Sequence, residues 1–590
     1  MPFSEFGEPF QRVCKEWRKI MKKWFVSAKK ADFTEIGKKF HITPMTARII
    51  RNRDVIGDEQ IRRYLQGTVE DLYSPWLMSG MKEGITLLQQ AIAASEKIRV
   101  IGDYDIDGVC ATYILMTGLK RVGANVDTDI PDRIKDGYGI NEHLIDRAHA
   151  AGVKLIVTCD NGIAAASQIA YAKELGIKVI VTDHHEVPFE ESGEERYEKL
   201  PPADVIMNPK QEQCTYPFKG LCGGAVGWKL VAALYETFGV ADDELYKLLE
   251  FAAIATVGDI MELQEENRII VKEGLRRIHH TQNRGLKSLI EVNGLERDSI
   301  SAYHIGFVIG PCINAGGRLD TAKRALELFA SDDKETADRL AGDLKALNDS
   351  RKELTKEGVE EAIHQVLETG RRSERVLVIY LPDCHESIAG IIAGKVKERF
   401  YRPTIVLTDA EEGIKGSARS IPGYNMFEEL SKVSELFTKF GGHPMAAGMS
   451  LPKENLSKLR TQLNENCTLT AEEMIERLSI DIAMPIQYVS EEFIEELKLL
   501  EPFGNGNSKP LFAERDFHVL RSQILGKNKN TVKIYGVNGA GCHMEGLYFG
   551  DPQALIELLG KKDTISITYY PAVNEFRGQR NLQLMIQDFQ

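Results

Sequence analysis

Asp103-Tyr104-Asp105-Ile106-Asp107-Gly108 follows directly on the apolar run Ile98-Arg99-Val100-Ile101. Read as one strand, with its side-chain period of two, the stretch points Asp103, Asp105 and Asp107 to the same side. Gly108 and the residues after it then end the strand and open a helix. Three carboxylates crowded at the mouth of a sheet are unfavourable unless a cation sits among them.

Working outward, the same pattern recurs. Leu155-Ile156-Val157-Thr158-Cys159 ends in Asp160-Asn161-Gly162, and Lys178-Val179-Ile180-Val181-Thr182 ends in Asp183-His184-His185-Glu186. A fourth apolar run, Ala252 to Gly258, strand or helix, delivers Asp259. Helical patterns separate the runs, Asn161 to Leu175 among them, which is the alternation of a doubly wound parallel sheet. Such sheets bind ligands beyond the carboxyl ends of their strands, where these residues fall. A single Asp after a strand is ordinarily a turn former or a helix cap. Four segments that all deliver acids or histidines to one edge read as a metal centre. Carboxylates and imidazoles without thiolates suit Mn²⁺ or Mg²⁺, with nitrogen ligands favouring Mn²⁺. The carboxylate count points to two ions, which in such sites lie about 3.5–4 Å apart and clamp the attacking and leaving oxygens of a phosphoester displacement.

The 590 residues are too many for one domain. With 43% hydrophobic and 27% charged residues the composition is that of a soluble protein. No stretch approaches the roughly 20 apolar residues that span a bilayer, and the first residues lack signal-peptide features. Nine scattered cysteines form no Cys-x-x-Cys pair, so neither zinc nor a disulfide framework is indicated. The expected compartment is the cytoplasm. A net charge of −13 argues mildly against a nonspecific duplex binder but leaves room for a narrow positive channel.

The flanking regions divide the chain further. Residues 1–80 form an N-terminal helical region: Glu16 to Lys30 is basic and amphipathic, and Phe33 to Thr46 reads as a small helix–turn–helix. This region is expected to pack on the metal-binding core. The core spans 81–320. Within it, the loop 131–139 holds Arg133, and Asn314 to Asp320 reads as a second small-residue loop holding Arg318; both arginines are suited to phosphate. Gly223 to Lys229 lacks P-loop spacing and reads as a turn into a helix. Residues 321–370 form a long connector helix, with a narrow stripe of Ala337, Leu340, Leu344, Leu347 and Leu354 interrupted by Arg351; a coiled coil is the competing reading. A second α/β unit, 371–465, carries Gly441-Gly442-His443-Pro444-Met445-Ala446-Ala447-Gly448, read as a glycine turn opening a helix whose N–H groups make an anion pocket. The remainder, 466–590, has the turn-rich string Leu500 to Asn507 and then five short strands with a helix at Pro552 to Leu559, the pattern of an OB-fold β-barrel. Tyr569, Tyr570, Phe576, Arg577 and Arg580 there suit sequence-tolerant stacking of single-stranded bases.

Asp-Tyr-Asp-Ile-Asp-Gly, Cys-Asp-Asn-Gly, Asp-His-His and Val-Gly-Asp, in this order, resemble the four signatures of the DHH phosphoesterase superfamily. The whole chain from about residue 30 resembles its RecJ family of single-strand-specific 5′→3′ exonucleases. The resemblance implies metal ligation by Asp105, Asp107, Asp160, His184 and Asp259, with Asp160 bridging two ions and with Asp103 and His185 in support. Several relatives carry a His where this chain has Ile101, so one ion is expected to be weakly held or to use Asp103. The Gly-Gly-His-x-x-Ala-Ala-Gly string resembles the DHH-associated domain, which in the family faces the metal site across a cleft and binds the nucleic acid strand. Arg133, Ser417 and Arg419 match positions that hold a 5′ end, and Gly441, Gly442 and His443 match the strand-binding turn. Asp160, His185, Arg318 and His443 are the implied catalytic residues. The implied function is sequence-independent digestion of single-stranded DNA in recombination and repair, with a helicase and a single-strand-binding protein as partners. The alternatives are a phosphodiesterase of short RNAs or cyclic dinucleotides, and a non-catalytic DNA-binding accessory protein.

Overall fold

The apolar runs fold into a five-stranded parallel sheet with an apolar layer on each face. A computed structural model describes residues 22–590 apart from 134, 193–194, 527–528 and 577. The chain forms two units: one gathers 53–349 with 500–509, the other the residues up to Asn52 with 350–499 and 510–590.

In the first unit, β1 (Lys97–Ile101), β2 (Asn125–Asp129), β3 (Leu155–Cys159), β4 (Lys178–Thr182) and β5 (Val205–Met207) lie in the order β2-β1-β3-β4-β5, all parallel. Alternation sends Ile98, Val100, Leu155, Val157 and Ile180 into one core, with Val109 and Ile114 of α1 (Ile106–Arg121). The other face buries Ile101, Ile156, Val179 and Val181 against Leu144, Ile145, Ile169 and Ala172. Burial on both faces explains why the strands read as unbroken apolar runs. Strand order reverses between β1 and β3, the switch point where such sheets hold ligands.

Two further helices frame that point, α2 (Gly223–Phe238) and α3 (Leu249–Gly258). The run before Asp259 is therefore a helix; Ala252, Ala253 and Ala255 favour it. Asn314 to Asp320 is not a loop either. It is the end of α4 (Gly310–Leu319), which continues from a π-helical turn at Ile305–Ile309. Its glycines serve close packing rather than turning: a Cβ on Gly317 would lie 2.3 Å from the Tyr104 carbonyl oxygen.

The 35-residue α5 (Lys334–Glu368) buries Ala337, Leu340, Ala341 and Leu344 in the first unit's core and Val359, Ala362, Ile363 and Val366 in a core of the second. The second unit continues with β6 (Leu377–Tyr380), α6 (Glu386–Phe400), β7 (Thr404–Asp409), β8 (Ile414–Arg419), β9 (Lys439–His443) and β10 (Ala446–Leu451), in the sheet order β9-β10-β8-β7-β6. The Gly441 to Gly448 string opens no helix. It is the β9–β10 hairpin, fixed because Ala447, Met449 and Leu451 alternate into the core.

The C-terminal strands close as expected into a five-stranded barrel, β11 (Phe512–Leu525), β12 (Thr531–Val537), β13 (His543–Phe549), β14 (Thr564–Phe576) and β15 (Gln579–Phe589), ordered β11-β12-β13-β15-β14, with α7 (Pro552–Leu559) between β13 and β14. Of the N-terminal region expected to pack on the metal-binding core, residues 22–52 are grouped with the second unit and residues from 53 with the first. A strand at Lys23–Val26 pairs in parallel with Arg477–Ile480, the Trp24 indole donates to Asp588 (2.7 Å), and the helix pair Phe33–Phe40 and Pro44–Asn52 stays in the second unit, where Thr43 N donates to Glu496. The first part of the basic stretch from Glu16 lies outside the described residues. Among those described, no helix is long and apolar enough to cross a membrane.

Candidate metal centre

The strand β1 ends at Ile101, so the alternate acids are not spaced by a strand. Asp105 is instead the N-cap of α1, its carboxylate accepting from Asp107 N and Gly108 N (2.9 and 3.0 Å), and Asp107 lies in the first helical turn. Gly108 is required for close approach: a Cβ there would come within 2.6 Å of the Asp103 backbone. Asn314 of α4 accepts from Ile106 N (2.8 Å) and fixes the start of the helix. Gly139 N donates to Asp103 (3.2 Å).

Asp107 is held from the other side by the first turn of α2. Gly223 N and Gly224 N donate to its two oxygens at 2.7 and 2.6 Å, so the positive end of a helix faces a buried carboxylate. Asp160 follows β3 in a left-handed conformation (φ 60°) that aims it across the switch point, and the Tyr138 hydroxyl donates to its carbonyl (2.6 Å). His184 Nε2 lies 3.0 Å from Asp160, 3.5 Å from Asp107 and 3.6 Å from Asp259. Asp183, at the end of β4, accepts from Ile163 N, His184 N and His185 N (2.9, 2.7 and 3.1 Å) and pairs with His185 Nδ1 (2.8 Å), anchoring both imidazoles.

Three groups of potential ligands result, each with its donor atoms within 4.8 Å of one another: Asp103, Asp105 and Asp160; Asp107, His184 and Asp259; and Asp160, His184 and His185. Asp160 belongs to two of them. Asp103 completes the first, whereas Ile101 is fully buried among Ile140, Leu144 and Ile145. The residues present fit divalent cations. Asp103 Oδ2 and His184 Nδ1 are buried without a hydrogen-bond partner. Burial, then the neighbouring acids, raises the carboxyls of Asp103, Asp105 and Asp160 above the usual carboxylate range and pushes Asp259 up to about 8. Burial also lowers His184, leaving it neutral as a ligand must be. Burial disfavours the charged form of His185, but the hydrogen bond to Asp183 lifts it to about 9. Positive charge among these oxygens would reverse the penalty on all four acids.

Arg133 lies over the Tyr104 ring (4.8 Å), and its charge, like that of Arg318, reaches Tyr104 beside the acids. In the second unit, sheet register pairs Ser417 with Gly448 and Arg419 with Ala446, and on the far side of that strand pairs Gly448 with Gly441, Ala447 with Gly442 and Ala446 with His443. His443 is exposed on the hairpin. The barrel aromatics divide differently from the sequence expectation. Tyr569 is wholly buried, its hydroxyl donating to the Met484 carbonyl (2.7 Å), and Tyr570 is buried too, so both are core rather than base contacts. Arg580 is exposed and paired with Glu491 (3.0 Å); Arg577 and the Phe576 side chain lie outside the described part of the structure. Sequence reasoning placed Asp183 at the strand end without a role, and missed Gly223, Gly224, Tyr138 and Asn314. A glycine pair before a helical pattern was the one legible signal among them.

Family profiles match residues 97–256 as the DHH family N-terminal domain, 373–468 as the DHHA1 domain and 480–588 as the RecJ OB domain. The single-stranded-DNA-specific exonuclease RecJ of Bacillus subtilis is 39% identical over 554 residues, covering 93% of this chain and 68% of that protein. The Escherichia coli protein of the same name is 33% identical over 571 residues, covering 93% and 96%. The crystal structure of Thermus thermophilus RecJ in complex with Mn²⁺ superposes with a TM-score of 0.80 at 25% identity, over 96% of this chain and 79% of that one. Similarity that runs through all three matched regions, and through nearly the full length of the E. coli protein, makes this chain a member of the RecJ family of DHH phosphoesterases.

Proposed function

We propose that this chain is a metal-dependent exonuclease that digests single-stranded DNA from its 5′ end, one phosphodiester at a time. The observation that supports it most is the pair of ligand triplets at the switch point, in a chain whose relatives are single-stranded-DNA-specific exonucleases. Asp103, Asp105 and Asp160 would hold one Mn²⁺ or Mg²⁺, and Asp107, His184 and Asp259 the other, with Asp160 between them. Bound there, the ions supply Lewis-acid charge to the phosphoryl oxygens and lower the pKa of water.

The chain's own groups do the rest. Gly223 and Gly224 fix the Asp107 carboxylate, and Asp183 fixes the ring orientation of His185. His185, charged through Asp183 up to a pH of about 9, can carry a proton to a departing oxygen. Arg133 is assigned to the terminal 5′-phosphate and Arg318 to charge developing on the phosphoryl group. Ser417, Arg419, Gly441, Gly442 and His443 are assigned to the strand's backbone. No base-reading motif is present, so cleavage is indifferent to sequence. A helicase that exposes single strands and a protein that coats them, in the cytoplasm, are the partners this chemistry calls for.

The test uses the full chain with Mn²⁺ and 5′-labelled single-stranded DNA, duplex DNA, dinucleotides and a cyclic dinucleotide. Release of nucleotides from single strands alone, abolished by chelation, is expected. Cleavage confined to the dinucleotides would make the chain a small-substrate phosphodiesterase, and no cleavage at any Mn²⁺ concentration would leave the accessory reading.

For base contact, Tyr303 and Phe307 are better placed than the buried barrel tyrosines. They are 63% and 68% exposed with ring centroids 4.8 Å apart, on the helical run that leads to Asn314 and Arg318. Stacking a base on an aromatic ring is worth about 1–3 kcal/mol. Replacing both by Ala should therefore raise KM for single-stranded DNA roughly fivefold or more, with kcat retained. An unchanged KM would remove them from the DNA path.

A further inference from the structure

The string Leu500-Glu501-Pro502-Phe503-Gly504-Asn505-Gly506-Asn507 precedes the barrel in sequence, yet residues 500–509 belong to the unit that carries the metal centre. Their seat is Arg268, 2% exposed, whose guanidinium lies 3.8 Å from the Tyr64 ring centroid. It donates to the carbonyls of Tyr64, Leu500 and Glu501 (2.7, 3.0 and 2.8 Å). Asn507 closes the segment on itself, donating to the Leu500 and Pro502 carbonyls (2.8 Å each) and accepting from the Tyr64 hydroxyl (2.8 Å). Reciprocal backbone bonds between Gly504 and Asn507 leave Asn505 and Gly506 at the tip of a tight turn.

That tip grips the loop after Asp259. The Asn505 side-chain amide donates to the Ile260 carbonyl (2.8 Å), Leu263 N donates to the Asn505 carbonyl (2.8 Å), and Gln264 Nε2 donates to the Gly506 carbonyl (2.6 Å). Gly506 has φ +70°, and a Cβ on it would sit 2.9 Å from Glu262 Cβ, so the approach is as close as glycine permits. Ile260 itself is left-handed, φ 57°, an outlier for a β-branched residue. Its side chain is 71% exposed, so packing does not compensate the strain. The conformation closes the C-terminus of α3, with Ile260 N donating to the Val257 carbonyl (3.2 Å) and Met261 N to the Thr256 carbonyl (3.1 Å), and the Asn505 amide adds a bond to the Ile260 carbonyl, one residue past Asp259.

We propose that Asn505 is a positioning residue for the metal centre: by holding the carbonyl of the left-handed Ile260 it steadies the turn that presents the Asp259 carboxylate, and so sets the affinity for the cation shared with Asp107 and His184. The proposal rests on the reading of Asp259 as a ligand. It assigns the glycine- and asparagine-rich string to the metal centre rather than to the barrel.

The experiment titrates Mn²⁺ into the full chain without DNA, following free Mn²⁺ by electron paramagnetic resonance, for wild type, Asn505→Ala, Asn505→Ala/Ile260→Gly and Asp259→Asn. Exonuclease rate against Mn²⁺ concentration is measured in parallel. Asn505→Ala should weaken binding of one ion by about 10–100-fold, the scale at which groups that orient ligands act. The Mn²⁺ needed for half-maximal rate should rise in step, with KM for single-stranded DNA at saturating Mn²⁺ unchanged. Glycine adopts positive φ without strain, so the double variant should recover most of the lost affinity. Wild-type Mn²⁺ affinity in Asn505→Ala, or a double variant as weak as the single one, would overturn the proposal. A fall in melting temperature of the metal-free Asn505→Ala protein with unaltered Mn²⁺ affinity would overturn it too, in favour of a purely structural role. Asp259→Asn separates the two levels. If it loses an ion while Asn505→Ala does not, only the positioning role falls; if it binds Mn²⁺ as wild type does, the ligand assignment falls with it.

Discussion

Asp160→Asn should abolish exonuclease activity while making the metal-free protein harder to unfold. Asp160 is grouped with Asp103 and Asp105 and also lies 3.0 Å from His184 of the other proposed ion site, so its neutralisation withdraws a charge from between the two. The loss of rate should exceed the ~10²–10³-fold that removal of a single charge-stabilising group costs. Asn tolerates left-handed backbone, so the φ of 60° at this position is no obstacle to folding. Binding of single-stranded DNA should survive, since the arginines and the second unit are untouched. Without metal, the substitution relieves repulsion from Asp107, Asp105, Asp103 and Asp259.

The pH dependence fixes the sign. Carboxyls whose folded pKa is raised hold protons that the unfolded chain has already released, so their contribution to stability falls as pH rises. The window runs from the ordinary carboxylate range to about 8, where Asp259 ionises. The stabilising gap between Asp160→Asn and wild type, both stripped of metal, should therefore be wider at pH 8 than at pH 5. Each kcal/mol corresponds to roughly 2–4 °C in melting temperature for a domain of this size. Mn²⁺ should raise the melting temperature of wild type far more than that of the variant. A variant of wild-type rate, or one destabilised equally at both pH values, would contradict the bridging assignment.

Gly223→Ala should be nearly as damaging, although it removes no charge. A Cβ on Gly223 would lie 2.5 Å from Asp160 Cβ and 2.9 Å from its Cα. Forced overpacking of this kind costs about 1–3 kcal/mol. Here the strain falls on two ligands together, because the Gly223 N–H that the new methyl displaces also holds Asp107 at 2.7 Å. A misplacement of about 1 Å costs on the order of 10²-fold in rate. Gly227→Ala is the control: one turn along the same helix, its Cβ would meet Leu115 at an ordinary 3.5 Å, and activity should remain within about twofold, as for a tolerated helix-interior substitution. Equal rates for the two variants would mean that the start of α2 does not shape the site.

How far the sequence could be read depended on the range of the forces involved. Strands β1, β3 and β4 and their terminal acids are local, apolar runs ended by turn formers, and they stood out. So did the barrel strands, whose alternation is likewise local. Asp103 has its donor atom grouped with those of Asp105 and Asp160, so it is placed to serve if Ile101's position supplies no ligand. The identity of the groups that hold Asp107 was invisible: Gly223 lies more than a hundred residues away, and only tertiary packing brings its N–H to a carboxylate. Gly441 to Gly448 misled for a different reason. Glycines and alanines have no side-chain preference strong enough to choose between helix and strand, so pairing with β8 decided. The small residues near Arg318 signalled closeness to the Tyr104 carbonyl rather than a turn. Tyr569 looked like a base platform because an aromatic in a barrel strand carries no mark of which face it takes.

The burial of Arg268 has a consequence for how this protein can be taken apart. Its guanidinium draws partners from both stretches of one unit, Tyr64 in the first and Leu500 and Glu501 far downstream. A gene fragment ending at residue 349 would encode the sheet, the ligands and the switch point, and would still leave a fixed positive charge stripped of most of its acceptors in an apolar interior. Stranding a charge in this way costs about 3–5 kcal/mol, a large share of the stability of any domain. The unit that carries the metal centre is thus expected not to fold as a separate fragment. A protease nick between residues 349 and 500 should leave it folded, with its distant segment still in place, whereas a stop codon at the same point should not.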